Sequence, residues 1–143
     1  MKISTKGRYA LRMLLDLAKN TDAGFISLKE IAERQGISKQ YLEQIVALLH
    51  TSTILRANRG KQGGYMLAKK PSQITVGQIL RITEGSLAPV ACLEDDVNQC
   101  DRADFCITLS MWKGLDKVIT EYLDGITLQS MLDQAQGPVS YVI

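Results

Sequence analysis

The sequence predicts a mainly α fold with a small β-hairpin wing, a winged helix-turn-helix followed by a long C-terminal dimerisation helix. Three observations predict it. Two amphipathic segments meet at the turn Gly36-Ile37-Ser38. Two short strand-like segments flank a glycine-rich loop that carries Arg59 and Lys61. An apolar seam runs along a long helical segment near the C-terminus. The borders follow as 1–85 for the winged helix-turn-helix, 86–106 for a loop holding all three cysteines, and 107–143 for the dimerisation helix and tail.

Ser4 to Lys19 places Tyr9, Met13 and Leu17 on one face with Ala10, Leu14 and Ala18 beside them, a wide stripe at helical spacing. Ser27 and Glu30 fit a reciprocal capping box that opens a short helix through Leu28, Ile31 and Ala32 to about Gln35. Gly36 supplies a left-handed stop, and Ser38 caps the next helix through Tyr41, Leu42, Ile45, Val46 and Leu49. That is helix-turn-helix spacing, in which the second helix enters a major groove. Ile54 to Ala57 and Tyr65 to Leu67 read as two strands. The turn between them, with Gly60, Gly63 and Gly64, reads as a wing. Thr75 to Gln78 forms another capping box and starts a helix through Ile79, Leu80 and Ile82, which Gly85 stops. Residues 86–105 show no helical or strand period. A helix from about Ile107 to Leu123 follows, with Ile107, Met111, Leu115, Val118 and Tyr122 along one seam, and a second copy of the chain is the simplest partner for it. Thr127 caps a last helix ending near Gln136. The tail beyond it is expected to be loosely held, with Val139, Tyr141, Val142 and Ile143 available for docking.

Charge divides along the chain. Residues 1–91 hold fourteen Lys/Arg against six Asp/Glu, a net of +8, and residues 92–143 hold three against nine, a net of −6. The basic half suits a polyanion, and double-stranded DNA is the expected partner. No signal peptide and no membrane-spanning run is visible, so the expected location is cytoplasmic, where structural disulfides are rare.

The candidate DNA contacts sit in two places. Ser38, Gln40, Tyr41, Glu43 and Gln44 occupy the first two turns of the recognition helix, where Ser and Gln reach base edges or phosphates. Glu43 would reject sites that offer its carboxylate no cytosine amino group. In the wing, Arg59, Gly60 and Lys61 suit minor-groove or backbone contact. Lys2, Lys6, Arg8 and Arg12 add charge near the first helix, where a solvated face explains them equally well.

Cys92, Cys100 and Cys106 are spaced C-x7-C-x5-C and are the chain's only cysteines. The spacing is that of neither a paired zinc site nor a ferredoxin. Three clustered thiols nevertheless read as metal ligands or redox groups, with packing as the bland alternative. Glu94, Asp96, Asp101, Asp104 or a partner subunit's residue could complete a set of four. His50, at the end of the recognition helix, reads as a helix C-terminal residue rather than a ligand. No enzyme motif is present: the lone histidine lies far in sequence from the cysteines, and Arg59-Gly60-Lys61-Gln62-Gly63-Gly64 sits in a hairpin, so it is no phosphate-binding loop.

The segments STKGRYALRMLLDLA, IAERQGISKQYLEQI, RGKQGGYMLAK and ITVGQILRITEG resemble the winged-helix regulators typified by the iron–sulfur biogenesis regulator IscR, with NsrR and CymR as relatives. The stretch from Leu109 to Leu128 is similar too. The resemblance implies a homodimer crossed by the long helix, a two-fold DNA operator, and an iron–sulfur cluster held by Cys92, Cys100 and Cys106, [2Fe-2S] before [4Fe-4S]. Ser38, Tyr41, Glu43, Gln44 and Arg59 would contact DNA. Leu109 stands where IscR has a histidine ligand, and Arg8 lies in the region where NsrR offers an aspartate, so the fourth ligand stays open. The segment GSLAPVACLEDD also resembles CymR, which implies a cluster-free regulator acting through thiol oxidation or a protein partner as the alternative.

Overall fold

The computed structural model describes residues 1–137. The apolar tail residues Val139, Tyr141, Val142 and Ile143 lie outside the described residues. Six α-helices and one hairpin form in the predicted order: α1 (Thr5–Lys19), α2 (Leu28–Gln35), α3 (Lys39–Leu49), β1 (Leu55–Asn58), β2 (Gly64–Leu67), α4 (Val76–Glu84), α5 (Leu109–Asp124) and α6 (Leu128–Gln136). The strands pair antiparallel, with Leu55 opposite Leu67 and Asn58 opposite Gly64. Winged helix-turn-helix topology is therefore present as the sequence predicts.

Local chemistry explains the boundaries. Ser4, Ser27, Ser38, Thr75 and Thr127 each accept a hydrogen bond from a backbone N–H three residues on, which satisfies one otherwise unpaired donor. The reciprocal box is complete at Thr75–Gln78 and Thr127–Ser130. At Ser27–Glu30 only half forms. The Glu30 carboxylate instead lies 3.6 Å from Arg34, one turn along the same helix face, where a cation outcompetes a neutral N–H. Gly36, at φ +63°, ends α2 in the left-handed conformation and lets the chain turn directly into α3. The long helix starts at Leu109 rather than 107, so Ile107 sits in the preceding turn, 94 % exposed.

The larger of two buried apolar clusters among the described residues lies beneath the helix-turn-helix. Met13 and Leu14 of α1, Ile31 of α2, Leu42, Ile45 and Leu49 of α3, Ile79 of α4 and Leu128 of α6 are all essentially sealed from solvent. Truncating any one of them to Ala costs about 2–5 kcal/mol.

One charged residue lies among them. Asp16 of α1 is 3 % exposed. Arg34 of α2 donates from Nε at 3.0 Å and from Nη2 at 2.6 Å to its two carboxylate oxygens, and Gln35 donates from Nε2 at 3.0 Å. Arg12, one turn before Asp16, donates to the Gln35 carbonyl and lies 5.2 Å over the Tyr9 ring. The end of α2 is thus tied to α1 by charge as well as packing. Burial pushes the Asp16 carboxyl up, but the Arg34 and Gln35 hydrogen bonds, with the charges of Arg34 and Lys19, outweigh it and leave the group below its ordinary value.

A carboxyl lowered by folding contributes stability above its unfolded value, near pH 4, and that contribution disappears as pH falls through the lower folded value. Asp16→Asn should lower unfolding stability by about 1–3 kcal/mol at neutral pH, since hydrogen bonds to a charged group are lost. Urea denaturation at pH 7 and in steps below pH 4 checks this. The parent should lose its advantage over the variant in acid, and an advantage independent of pH would show that the carboxylate charge is not what holds α2.

Candidate functional site

The recognition helix α3 buries Leu42, Ile45, Val46 and Leu49 and turns Gln40, Glu43, Gln44 and Ala47 outward. These four follow the i, i+3, i+4, i+7 rule, so they form one solvent-facing stripe. Ser38 and Lys39 are exposed at its N-terminal end. Ser38 Oγ already accepts the Tyr41 N–H at 3.1 Å as the helix cap, which leaves its hydroxyl proton for an outside acceptor. Tyr41 differs from its neighbours. It is half-buried, and its ring meets Tyr9 edge-on at a centroid distance of 5.4 Å and an angle of 71°, so much of that side chain positions the helix on α1.

The wing holds its cations away from protein. Arg59, Gly60 and Lys61 are exposed at the hairpin tip, which the Gly63 N–H closes by donating to the Gly60 carbonyl at 3.0 Å. Among the described residues Arg59 and Lys61 form no ion pair. Arg56 on β1 is exposed as well, and with Lys39 and Ala47 it belongs to the surface that sequence reading missed. Alternation along β1 was the available signal for Arg56, and the i+3 step from Gln44 was the signal for Ala47. The charges near the first helix are divided: Arg8 bonds the Thr5 hydroxyl at 2.9 Å and Arg12 is engaged by Gln35, while both remain exposed.

A third strand-like segment steadies the wing. Ile26 and Tyr65 exchange both backbone hydrogen bonds, at 2.9 and 2.8 Å. Gly64 permits it, because a Cβ there would overlap the Ile26 carbonyl.

The cysteine loop leaves α4 at Gly85 and joins α5 at Leu109. Cys92 sits half-buried in a short 3-10 turn, Ala91–Leu93; Cys100 is exposed; Cys106 is half-buried after a second turn, Ala103–Phe105. All three are free thiols. Among the described residues no three His, Cys, Asp or Glu side chains converge as a metal site, so the loop does not gather the three sulfurs. The Thr108 hydroxyl, 3.4 Å from Sγ, and the Thr108 and Leu109 N–H groups hold the Cys106 thiol below its ordinary value, with help from the Arg102 charge and against slight burial. His50 is exposed at the C-terminal cap of α3, far from the loop in sequence.

The donor set nonetheless fits an iron–sulfur group in chemistry. Three thiols lie on one loop, and between the first two sits Asn98, whose Nδ2 is the one buried side-chain polar atom among the described residues without a partner. An unsatisfied buried donor costs about 1–3 kcal/mol, and thiolate or sulfide sulfur is an acceptor that would relieve it.

Along α5 and the turn before it, Ile107, Met111, Leu115, Val118 and Tyr122 are all exposed, between 40 and 94 %. Met111, Leu115, Val118 and Tyr122 form the predicted seam on α5, Ile107 standing just before the helix, and none of the α5 residues is fully buried. No described helix is long and apolar enough to cross a membrane.

Comparison with known proteins agrees with this geometry. Residues 3–134 match the Rrf2 family, described as iron-dependent transcriptional regulators. The HTH-type transcriptional regulator IscR of Escherichia coli is 36 % identical over 136 residues, covering 95 % of this chain and 83 % of that protein. The solved structure of T. potens IscR is 41 % identical, with a TM-score of 0.73, covering 99 % of this chain and 95 % of that one. CymR, the global cysteine regulator of B. subtilis, is 36 % identical with a TM-score of 0.76, covering 94 % and 98 %. These relatives are named as regulators, not enzymes.

Gly64→Ala should push β2 away from Ile26 at a cost of about 1–3 kcal/mol, the range for forced overpacking. Hydrogen exchange reads it directly, as faster exchange of the Ile26 and Tyr65 amides. Unchanged protection of both would show that the third strand does not need this close approach.

Proposed function

Because the chain belongs to the Rrf2 family of transcriptional regulators, we propose that it binds a two-fold DNA operator as a cytoplasmic homodimer and responds through its cysteine loop. The outward stripe Gln40, Glu43, Gln44 and Ala47, together with exposed wing cations that form no ion pair among the described residues, is the observation that carries the DNA reading. The stripe enters the major groove, where Gln40 and Gln44 read base edges and Ser38 and Tyr41 reach from the first turn. Glu43 repels most sites and accepts only where a cytosine amino group faces it. Arg59, Gly60 and Lys61 follow the adjacent backbone or minor groove. Dimerisation joins the exposed α5 seams of two copies, and the two recognition helices then address half-sites one helical turn apart, about 34 Å.

Cys92, Cys100 and Cys106 are the residues that would hold an iron–sulfur cluster, with Asn98 as a hydrogen-bond donor toward sulfur. When bound, such a group supplies sensitivity to iron supply and oxidants. What the chain itself contributes is a loop joining the last helix of the winged domain to the dimer helix. Ordering that loop changes how the two are held, and so changes DNA affinity, provided the two loop states bind DNA differently. The fourth ligand and the cluster type follow from the loaded protein.

A second reading is favoured by a specific observation: the three thiols are accessible and are not gathered. A cluster-free regulator similar to CymR would use them as oxidisable groups or would bind a protein partner.

Two outcomes are expected. Arg59→Ala should weaken binding to double-stranded DNA across all sequences and reduce the slope of log affinity against log salt by about one; an unchanged slope would remove the wing from the interface. Replacing all three cysteines with Ala should leave DNA binding intact but remove its response to iron and to oxidant. A retained response would place the sensor elsewhere.

A further inference from the structure

The joint between the winged domain and the dimer helix is built around one ion pair. Arg81 of α4 donates from Nη1 and Nη2 to the two carboxylate oxygens of Asp124 at the end of α5, both at 2.8 Å. Gly77, one turn earlier on α4, makes room for it, since a Cβ there would overlap the Asp124 carboxylate and come within 3.2 Å of Arg81 Nη1. Contacts run in opposite order along the two helices. Asp124 lies against Gly77 and Arg81, whereas Asp116 and Thr120 border a groove beside Gly85. The helices are therefore antiparallel, and the cysteine loop closes their other end.

Two backbone hydrogen bonds form a pivot below the pair: the Val76 N–H donates to the Ile126 carbonyl at 2.9 Å, and the Leu128 N–H to the Ile74 carbonyl at 3.0 Å. Leu123 and Ile126 pack on Val76, Leu80 and Leu87 around it. A pivot alone leaves rotation free. Its arm is long, because the sixteen residues of α5 span about 24 Å, so a turn of about 5° moves the far end by roughly 2 Å.

We propose that Arg81 and Asp124 are positioning residues for DNA binding: their ion pair, seated by Gly77, fixes the angle at which the α5 arm leaves the winged helix. In a dimer joined through α5, that angle sets the separation and twist of the two recognition helices. Arg81 also borders the groove that holds Glu94 and Asp96 of the cysteine loop, and Asp116 of α5 adds to the field on it. A rearranged loop therefore acts on the same guanidinium. The inference deepens the regulator reading and rests on it.

The test uses the full chain and an operator recovered by the wild-type protein from a randomised DNA pool, rebuilt with one base pair added to or removed from its centre, together with a single half-site. Wild type should discriminate sharply against both altered spacers. Asp124→Asn and Gly77→Ala should each reduce that discrimination by roughly two- to fivefold per protomer, the factor an exposed but bidentate pair supplies. Half-site affinity and the dimer mass in sedimentation should stay unchanged. Reversing the pair with Arg81→Asp and Asp124→Arg should restore spacer preference in part. Variants that keep the wild-type preference, or that lose half-site and full-site binding equally, overturn the inference alone. A wild-type protein that binds no two-site DNA overturns the regulator reading and the inference with it.

Discussion

The position of the recognition helix depends on a carboxylate sealed in the core. Asp16 is bound by Arg34 and Gln35 at the last turn of α2, immediately before the left-handed Gly36 and the start of α3. Apolar contacts alone are non-directional and would let α2 slide or rotate on α1. A bidentate guanidinium and an amide converging on two oxygens fix both register and orientation. The recognition-helix contacts of the proposed function are referenced to that point, because α3 follows after the three residues Gly36, Ile37 and Ser38. Tyr41 then docks edge-on against Tyr9, two turns from Asp16 on α1.

From α1 the same frame reaches the other end of the molecule. Ser4 donates from both its N–H and its hydroxyl to Glu84 at the end of α4, at 3.0 and 2.7 Å. Arg81, one turn earlier, holds Asp124 of α5. The carboxylates Asp16, Glu84 and Asp124 thus connect α2 to α1, the start of α1 to α4, and α4 to α5. Hydrogen bonds from Arg81 hold the Asp124 carboxyl below its ordinary value. The cysteine loop spans α4 and α5 at the end opposite that link. Leu87, at the start of that loop, is buried against Val76 and Leu80, so in the proposed function a change in the loop reaches the joint between α4 and α5.

Much of this was legible from residues. Turn chemistry at Gly36 and Ser38, the glycines around Arg59 and Lys61, and the 3.6-residue period of the α5 seam all depend on local sequence, and each appears where expected save Ile107, which stands before the helix begins. Asp16 was not legible. A lone carboxylate on an amphipathic helix reads as a solvated residue, and its partner lies eighteen residues away across a turn. Gly77 likewise reads as a weak helix former until the approach of Asp124 is seen. Glu30 illustrates the opposite error: the capping-box pattern was correct, but Arg34, invisible to that pattern, competes for the carboxylate. Whether three cysteines gather depends on loop closure over fifteen positions, which spacing alone does not determine.

In the proposed function this loop, with Cys92, Cys100 and Cys106, is a sensor built on sulfur-bound iron. The most direct measurement is anaerobic purification of the full chain followed by an absorption spectrum and a count of iron and acid-labile sulfide. A coloured protein with about two of each per chain, or about four, is expected, the colour being lost when the three cysteines are replaced. A protein that stays colourless after reconstitution with iron and sulfide would contradict it and leave the thiols themselves as the signal.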